Sequence, residues 1–215
     1  MDHGGWIIDR AIYMNTIEKL NTCDIILGSG SPRRLQLLEG MGLRFRIMAF
    51  DVDETLPAGL APALAAEALA QHKAQAFPQE EMLPHTLLIT ADTLVVLGEQ
   101  VLGKPTDRQD AIAMLSHLSG HTHEVITGVC LRTLTRVHTF HALSRVTFRA
   151  LAQEEIVHYV DHYRPFDKAG AYGIQEWIGY VGVERMEGSY YNVMGLPTQR
   201  LWEELCRILS QAEGR

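Results

Sequence analysis

Leu27-Gly28-Ser29-Gly30-Ser31-Pro32-Arg33-Arg34 joins two apolar segments. The short apolar run 25–27 ends at the first residue of this stretch, and an apolar-periodic stretch begins directly after it at Leu35. This order predicts a strand, a tight turn and a helix. Ser31 suits the N-cap of that helix, and Pro32 suits its first position, where a backbone N–H is not needed. The stretch therefore marks the passage from the first strand of a β-α unit into its helix.

The tip of this predicted helix is a candidate anion site. The unpaired N–H groups of a first helical turn point outward there, together with the positive end of the helix dipole. Arg33 and Arg34 add two full positive charges at the same point, so the tip suits a phosphate group. An ordinary capped helix with solvated arginines explains the same residues equally well.

Length and composition indicate one globular domain. The 215 residues are 47% apolar and 21% charged, which is close to average and enough for a sizeable core. We expect residues 1–22 to form an N-terminal extension and residues 23–215 a single α/β domain. Three scattered cysteines and a start that lacks the pattern of a signal peptide favour the cytoplasm.

Charge and hydropathy also limit the partners that we expect. The net charge of −7 argues against a broad surface for nucleic acid. No apolar run approaches the roughly 20 residues of a membrane-spanning helix. We therefore expect neither nucleic acid nor a membrane as partner, and an acidic chain that binds a polyanion needs local basic residues or a divalent cation.

The remaining pattern alternates between helices and strands. Gly40 is predicted to end the first helix in the left-handed conformation, and Asp107 to cap another helix that runs to Leu118. Further helices are predicted over 61–77, 154–162 and 198–209, and strands over 45–50, 86–90, 94–97, 124–132, 137–148 and 181–185. Because β-α units are mixed with antiparallel strands, we expect an α/β fold around a mixed sheet with flanking helices.

Asp92 is the second candidate for chemistry. It lies between two apolar runs in Ala91-Asp92-Thr93, where a carboxylate at a strand end can serve as a general base or a metal ligand. A simple turn aspartate is the plainer interpretation. Lys104 precedes Pro105, which keeps the backbone extended, so its ammonium can project toward a phosphate or only into solvent.

Other residues carry weaker signals. Lys73 lies on a predicted helix, and Glu54 lies in an acidic loop that suits a hard cation such as Mg²⁺ or is a solvated turn. Gln175 ends a glycine-rich segment, and its amide offers a donor and an acceptor to a nucleobase edge. Thr127-Gly128 indicates a close backbone approach, either to a ligand or to a neighbouring strand. His121 and His123 have the spacing of metal ligands without a third, and we favour a non-metal role.

Five motifs, in this order, resemble the Maf family of nucleoside triphosphate pyrophosphatases over roughly residues 25–209. They are Gly28-Ser29-Gly30-Ser31-Pro32-Arg33-Arg34, Ala91-Asp92-Thr93, Gly103-Lys104-Pro105, Leu118-Ser119-Gly120 with His123 and Thr127-Gly128-Val129, and Asp167-Lys168-Ala169-Gly170-Ala171-Tyr172-Gly173-Ile174-Gln175. The resemblance implies an elongated α/β fold whose two lobes enclose a deep cleft, similar to inosine triphosphate pyrophosphatases. It also implies hydrolysis of a nucleoside triphosphate to monophosphate and pyrophosphate, a divalent metal (Mg²⁺ or Mn²⁺), and a homodimer.

The same resemblance implies roles for individual residues. Asp92 would be the general base and, with Glu54, would hold the metal. The implied substrate-binding residues are Ser29, Arg33, Lys73, Thr93, Lys104 and Gln175. Arg33 together with Gln175 resembles the subgroup that acts on dTTP and UTP, whereas the 7-methyl-GTP subgroup typically has a Trp in place of Arg33. The chain departs from the family pattern in its first 22 residues and at Glu176-Trp177, where many members have a glycine.

Two other functions stay open at this point. A phosphotransferase is disfavoured because the turn lacks the lysine of Gly-x-x-x-x-Gly-Lys-Ser/Thr. A non-catalytic nucleotide-binding regulator of cell division and septum formation is a role that the family's history indicates. Binding of nucleotide without turnover would distinguish the regulator from an enzyme.

Overall fold

The computed structural model describes residues 16–49, 52, 53, 55 and 59–213. The expected metal ligand Glu54 and its neighbour Asp51 lie outside these residues, as does most of the predicted N-terminal extension. Residues 16–20 are helical, and Leu20 is buried in the main core. None of the helices within the described ranges has the length and apolar character needed to cross a bilayer.

Seven strands in the described residues form one mixed sheet. They are β1 (Asp24–Leu27), β2 (Arg46–Ile47), β3 (Thr86–Leu97), β4 (Gln100–Leu102), β5 (Thr122–Arg132), β6 (Val137–Phe148) and β7 (Val183–Glu187). Their order is β2-β1-β3-β5-β6-β7, with β4 beside β3. β1 runs parallel to β2 and β3, and all other pairs are antiparallel. The mixed α/β sheet predicted from the sequence is confirmed.

Helices flank this sheet. They are α1 (Pro32–Gly40), α2 (Pro62–Gln75), α3 (Arg108–Leu118), α4 (Gln153–Tyr163), α5 (Trp177–Gly182), α6 (Tyr190–Met194) and α7 (Thr198–Glu213). The longer helices agree with the predicted ones, and Asp107 caps α3 by accepting a hydrogen bond from the N–H of Asp110. The short helices α5 and α6 were not predicted, because five or six residues give too few turns for a periodic pattern.

The two faces of the sheet are covered by different helices. Helix α2 packs on one face, where its alanines contact Leu88, Ile126 and Cys130 of the central strands. The opposite face carries the larger core, to which α1, α3, α4 and α7 contribute. A Cβ on Gly128 would lie 2.2 Å from the carbonyl carbon of Ala66. The close approach at Gly128 is therefore to a helix, and the ligand and neighbouring-strand interpretations were both wrong.

Two local predictions need correction. The break predicted at Ala91-Asp92-Thr93 is absent, since β3 continues through it with Asp92 opposite Gly128 on β5. The continuous ladder to β5 outweighs the low strand propensity of aspartate. Gly40 lies inside α1, and the left-handed residue is instead Gly42, with φ 75° and its N–H bonded to the carbonyl of Glu39.

A gap along one edge of β3 creates the space for a ligand. β1 pairs with β3 only as far as Ile89, and β4 begins to pair only at Val95. Between them, the edge of β3 over residues 90–94 has no partner strand on this side among the described residues. The chain leaves β1 at Gly28, whose N–H bonds to the carbonyl of Ile89 at 2.8 Å, and turns into α1. Such crevices beyond the carboxyl end of a parallel strand are preferred ligand sites.

Candidate functional site

A cavity of about 330 Å³ lies at this gap. Its lining includes every described residue to which the sequence assigned a binding or catalytic role: Ser29, Arg33, Lys73, Asp92, Thr93, Lys104 and Gln175. These residues come from the turn before α1, from α1, α2 and β3, and from the loops that contain Lys104 and Gln175. Folding thus gathers them around one space.

The tip of α1 forms one wall of the cavity. Ser31 occupies the N-cap and Pro32 the first helical position, as predicted, but the Ser31 hydroxyl makes no capping bond. The backbone N–H of Ser31 donates a hydrogen bond to Oγ of Ser29 at 3.2 Å. Because the cap side chain does not occupy the first-turn N–H groups, the tip keeps the character of an anion site.

Arg34 organises the wall beside the tip. Its Nε donates to the carbonyl of Gly195 at 2.9 Å, its Nη2 to Oγ1 of Thr93 at 3.2 Å, and its Nη1 to Oγ of Ser29 at 3.3 Å. From the sequence, Arg34 was expected to be a second positive charge for a phosphate, beside Arg33. The structure shows that Arg34 ties together the turn, β3 and the end of α6, a role that no local sequence signal could reveal.

Arg33 has a different partner. Its Nη1 lies 2.9 Å from Oδ2 of Asp167, whose side chain is 59% exposed. Since an exposed ion pair contributes little stability, a phosphate can displace Asp167 at small cost. Arg33 is therefore the guanidinium at this tip that a substrate can recruit.

Asp92 meets Lys73 in another part of the cavity lining. The Nζ of Lys73 lies 2.5 Å from Oδ1 of Asp92, and the two side chains are 13% and 11% exposed. Both residues lie on the α2 side of the sheet, because Asp92 is opposite Gly128, the residue on which α2 packs. A shielded carboxylate with one oxygen fixed by an ammonium is well placed to orient a water molecule.

Thr93 points to the other face of the sheet, since successive residues of a strand alternate. Its Oγ1 lies 2.9 Å from Oγ1 of Thr127, and Thr127 donates to the carbonyl of Asn192 at 3.0 Å. Asn192 is fully buried and donates in turn to the carbonyl of Val125. The cavity thus wraps around the open edge of β3 and takes consecutive side chains from its two faces.

The glycine-rich segment closes the far end of the cavity. Gly170 has φ 69° and donates its N–H to the carbonyl of Gly103 at 3.0 Å, which ties the segment to the loop of Lys104. Gln175 lines the cavity, and its Oε1 is buried without a hydrogen-bond partner in the described part of the chain. A buried acceptor without a partner costs about 1–3 kcal/mol, so this amide is suited to a ligand that donates a hydrogen bond.

The two histidines flagged for their spacing have separate partners. Nε2 of His123 lies 2.7 Å from the hydroxyl of Tyr172, which lines the cavity, whereas Nδ1 of His121 lies 2.9 Å from the carbonyl of Ser119. Burial lowers the pKa of His123 to about 4, so the ring is neutral at pH 7. His123 is therefore a buried support for Tyr172.

The fit of a divalent metal can be judged from the donors at the cavity. Mg²⁺ usually binds to one or two carboxylates together with substrate phosphates and water. Asp92 supplies one such carboxylate, and its Oδ2 forms no hydrogen bond to another described residue. The described residues contain no group of three side chains that could hold a metal by themselves. The donor set fits an ion that binds together with a phosphate.

Comparison with known proteins gives consistent matches. The family described as Maf-like protein matches residues 24–208. A dTTP/UTP pyrophosphatase of Porphyromonas gingivalis is 50% identical over 191 residues, which cover 88% of this chain and 96% of that protein. Proteins of the same name from Bacteroides thetaiotaomicron and Bacteroides fragilis are 51% and 50% identical, over 88% and 89% of this chain and 98% and 100% of their own. Among solved structures, the Staphylococcus aureus Ham1 protein matches with a TM-score of 0.40 and 13% identity over 58% of this chain and 71% of its own.

Proposed function

Because this chain belongs to the Maf-like protein family, we propose that it hydrolyses dTTP and UTP to the nucleoside monophosphate and pyrophosphate. Relatives of that name are about half identical to it over nearly their whole length. The observation that carries the proposal is the shared cavity, in which the tip of α1 with Arg33 and the Asp92–Lys73 pair line one space.

The triphosphate lies along the tip of α1 in this proposal. The first-turn N–H groups and Arg33 neutralise phosphate oxygens, with Arg33 released from the exposed Asp167. Ser29 and Thr93 are held beside the tip by Arg34 and offer hydroxyl groups. Positive charge and preformed donors at one end of the cavity therefore fix the register of the substrate.

Asp92 acts as the general base. Its carboxylate orients a water molecule toward the α-phosphorus and accepts a proton as the water attacks. Lys73 fixes the carboxylate through Oδ1 at 2.5 Å, and its ammonium, which lines the cavity, stabilises negative charge on the phosphate. Pyrophosphate leaves with its charge stabilised by Lys104, which lines the same cavity. Most of the rate enhancement comes from positioning and electrostatic stabilisation.

A divalent cation, Mg²⁺ or Mn²⁺, is part of the proposal. Asp92 would hold it together with the substrate phosphates, and Glu54 remains the proposed second carboxylate. When bound, the ion supplies positive charge to the phosphate oxygens and reconciles a chain of net charge −7 with a polyanionic substrate.

Gln175 selects the base. Uracil and thymine present an acceptor at O4 beside a donor at N3, and the amide of Gln175 matches both. Its Oε1, buried and without a partner among the described residues, would accept the N3–H. Cytosine presents the reverse pattern, and the unpaired buried groups would cost about 1–3 kcal/mol.

Three further expectations belong to this proposal. The protein acts in the cytoplasm, forms a homodimer, and binds nucleoside triphosphate rather than nucleic acid or a membrane. A regulatory role in septum formation is compatible with catalysis, and binding of nucleotide without turnover would favour the regulator.

A panel of triphosphates tests the proposal. dTTP, UTP, CTP, GTP and ATP are incubated with Mg²⁺ or Mn²⁺, and pyrophosphate and monophosphate are measured. We expect stoichiometric pyrophosphate and monophosphate from dTTP and UTP, and much slower release from CTP. Orthophosphate or a phosphorylated acceptor would instead indicate a phosphotransferase, and equal rates with CTP would refute the role of Gln175.

A further inference from the structure

Tyr159 of α4 ties down the segment that carries Gln175. The Tyr159 hydroxyl accepts a hydrogen bond from the N–H of Gly173 at 3.0 Å and donates one to Oε2 of Glu176. Tyr159 is fully buried, and burial together with the Glu176 carboxylate raises its pKa well above the usual value. The phenol stays protonated at physiological pH and therefore acts as a permanent donor to Glu176.

The other oxygen of Glu176 faces a buried ammonium. The Nζ of Lys168 lies 3.2 Å from Oε1 of Glu176, and the Lys168 side chain, which lines the cavity, is 9% exposed. Asp167 supplies a second carboxylate at 2.8 Å, but it is exposed and also pairs with Arg33. Because a buried ammonium needs a counter-charge, Lys168 and Tyr159 together fix the Glu176 carboxylate from two sides.

Glu176 and Gln175 pack side by side over Gly173. A Cβ on Gly173 would lie 2.9 Å from Cδ of Glu176 and 3.1 Å from Nε2 of Gln175, so the space above this glycine is filled by the two groups. A carboxylate attracts the amide hydrogens and repels the amide oxygen. The field of the Glu176 carboxylate therefore favours the orientation in which Nε2 is the end nearer to it, and Oε1 is the buried end that lacks a partner among the described residues.

We infer that Glu176 is a positioning residue for base recognition, whose carboxylate, held by Tyr159 and Lys168, fixes which end of the Gln175 amide meets the base. The inference rests on the proposed function. Uracil and cytosine present opposite donor and acceptor patterns at positions 3 and 4. An amide of fixed orientation matches one pattern, whereas an amide that turns over by about 180° matches both.

The experiment measures kcat/KM for UTP and for CTP in the full-length protein and in Glu176→Gln, which keeps the size of the side chain and removes its charge. We expect the preference for UTP to fall about tenfold, which corresponds to about 1.4 kcal/mol, because an amide that can turn over no longer rejects cytosine. The change should lie in KM, higher for UTP and lower for CTP, with kcat for UTP nearly unchanged.

Two further variants make the test specific. Tyr159→Phe removes the hydroxyl that holds Gly173 and Glu176, so it should lower the preference in the same direction, and it carries the test if Glu176→Gln does not fold. Glu155→Gln is the matched control on α4, since Glu155 pairs with Arg149 at 2.7 Å and does not line the cavity. It should lower the thermal midpoint and leave the preference unchanged.

An unchanged preference in both Glu176→Gln and Tyr159→Phe would overturn the inference, as would an equal loss for UTP and CTP through kcat alone. Failure of the proposed function has a different signature, namely no pyrophosphate release from any triphosphate by the unmodified protein. In that case the same ratio is read from the dissociation constants of UTP and CTP, and a preference that Glu176→Gln leaves intact would still refute the role of Glu176.

Discussion

The ammonium of Lys73 lies 2.5 Å from Oδ1 of Asp92, with Lys73 on helix α2 and Asp92 on strand β3. Both side chains are largely shielded from water, where the attraction between opposite charges is stronger than at the surface. Each residue limits the orientations of the other, so the carboxylate is preorganised before substrate arrives.

Asp92→Asn should lower kcat for dTTP by about 10²–10⁴-fold, the usual contribution of a general base. The amide keeps the shape of the side chain, so the affinity for dTTP should stay within a few-fold of the unmodified protein. Pyrophosphate release gives the rate, and calorimetric titration gives the affinity. Turnover close to that of the unmodified protein would show that another group activates the water.

Arg33→Ala should raise KM for every triphosphate by about 10- to 100-fold, since a hydrogen bond to a charged group contributes about 1.5–3 kcal/mol. Arg44→Ala is a suitable control because Arg44 is exposed and does not line the cavity. Steady-state kinetics with dTTP and UTP measures both. Identical KM values for Arg33→Ala and Arg44→Ala would place the phosphates elsewhere.

Gly128→Ala should destabilise the fold by about 1–3 kcal/mol or more, because the added Cβ would lie 2.2 Å from the backbone of Ala66. Gly40→Ala is the opposite case, since its Cβ meets nothing within 4 Å and alanine favours a helix by about 0.5–1 kcal/mol. Urea unfolding measures both variants. A Gly128→Ala protein as stable as the unmodified one would mean that α2 can move away from β5 freely.

Stability should depend on pH through His123, whose pKa is lowered to about 4 by burial. In the unfolded chain the pKa of this histidine is about 6.5. At a pH between about 6.5 and about 4, the unfolded chain therefore binds a proton that the folded chain does not. The free energy of unfolding therefore falls as pH decreases through this window, by about 3 kcal/mol from this residue. In His123→Phe, the fall between pH 7 and pH 4.5, measured by urea unfolding, should be smaller; an identical fall would assign it to other groups.

Much of the fold could be predicted because its signals are local. The run 27–34 predicts the turn and α1, and Asp107 with Asp110 predicts the start of α3. The break predicted at Asp92 was wrong for a non-local reason: a neighbouring strand supplies hydrogen bonds and a glycine opposite the carboxylate. Patterns within a window of the sequence do not contain such partners.

The residues of the candidate site also fall into those that the sequence identified and those that only the folded structure shows. Residues with a motif of their own, such as Arg33 and Gln175, were identified from the sequence, and the fold places them on one cavity. Arg34 contacts Thr93 and Gly195, which are 59 and 161 positions away, so its organising role becomes visible only when the chain is folded. The contacts of Glu176 likewise depend on the folded chain, since they join the glycine-rich segment with Lys168 to Tyr159 on α4.

The alternation of Asp92 and Thr93 along β3 makes the alignment of the neighbouring strand β5 important for the site. Asp92 aligns with Gly128 and Thr93 with Thr127. A slip of the β3–β5 register by a single position would exchange the hydroxyl and the carboxylate between the two faces of the sheet. The sheet would still be well formed, but the carboxylate would no longer lie where the proposed general base is needed. Accurate strand alignment during folding is therefore a requirement for a competent enzyme, separate from the stability of the sheet itself.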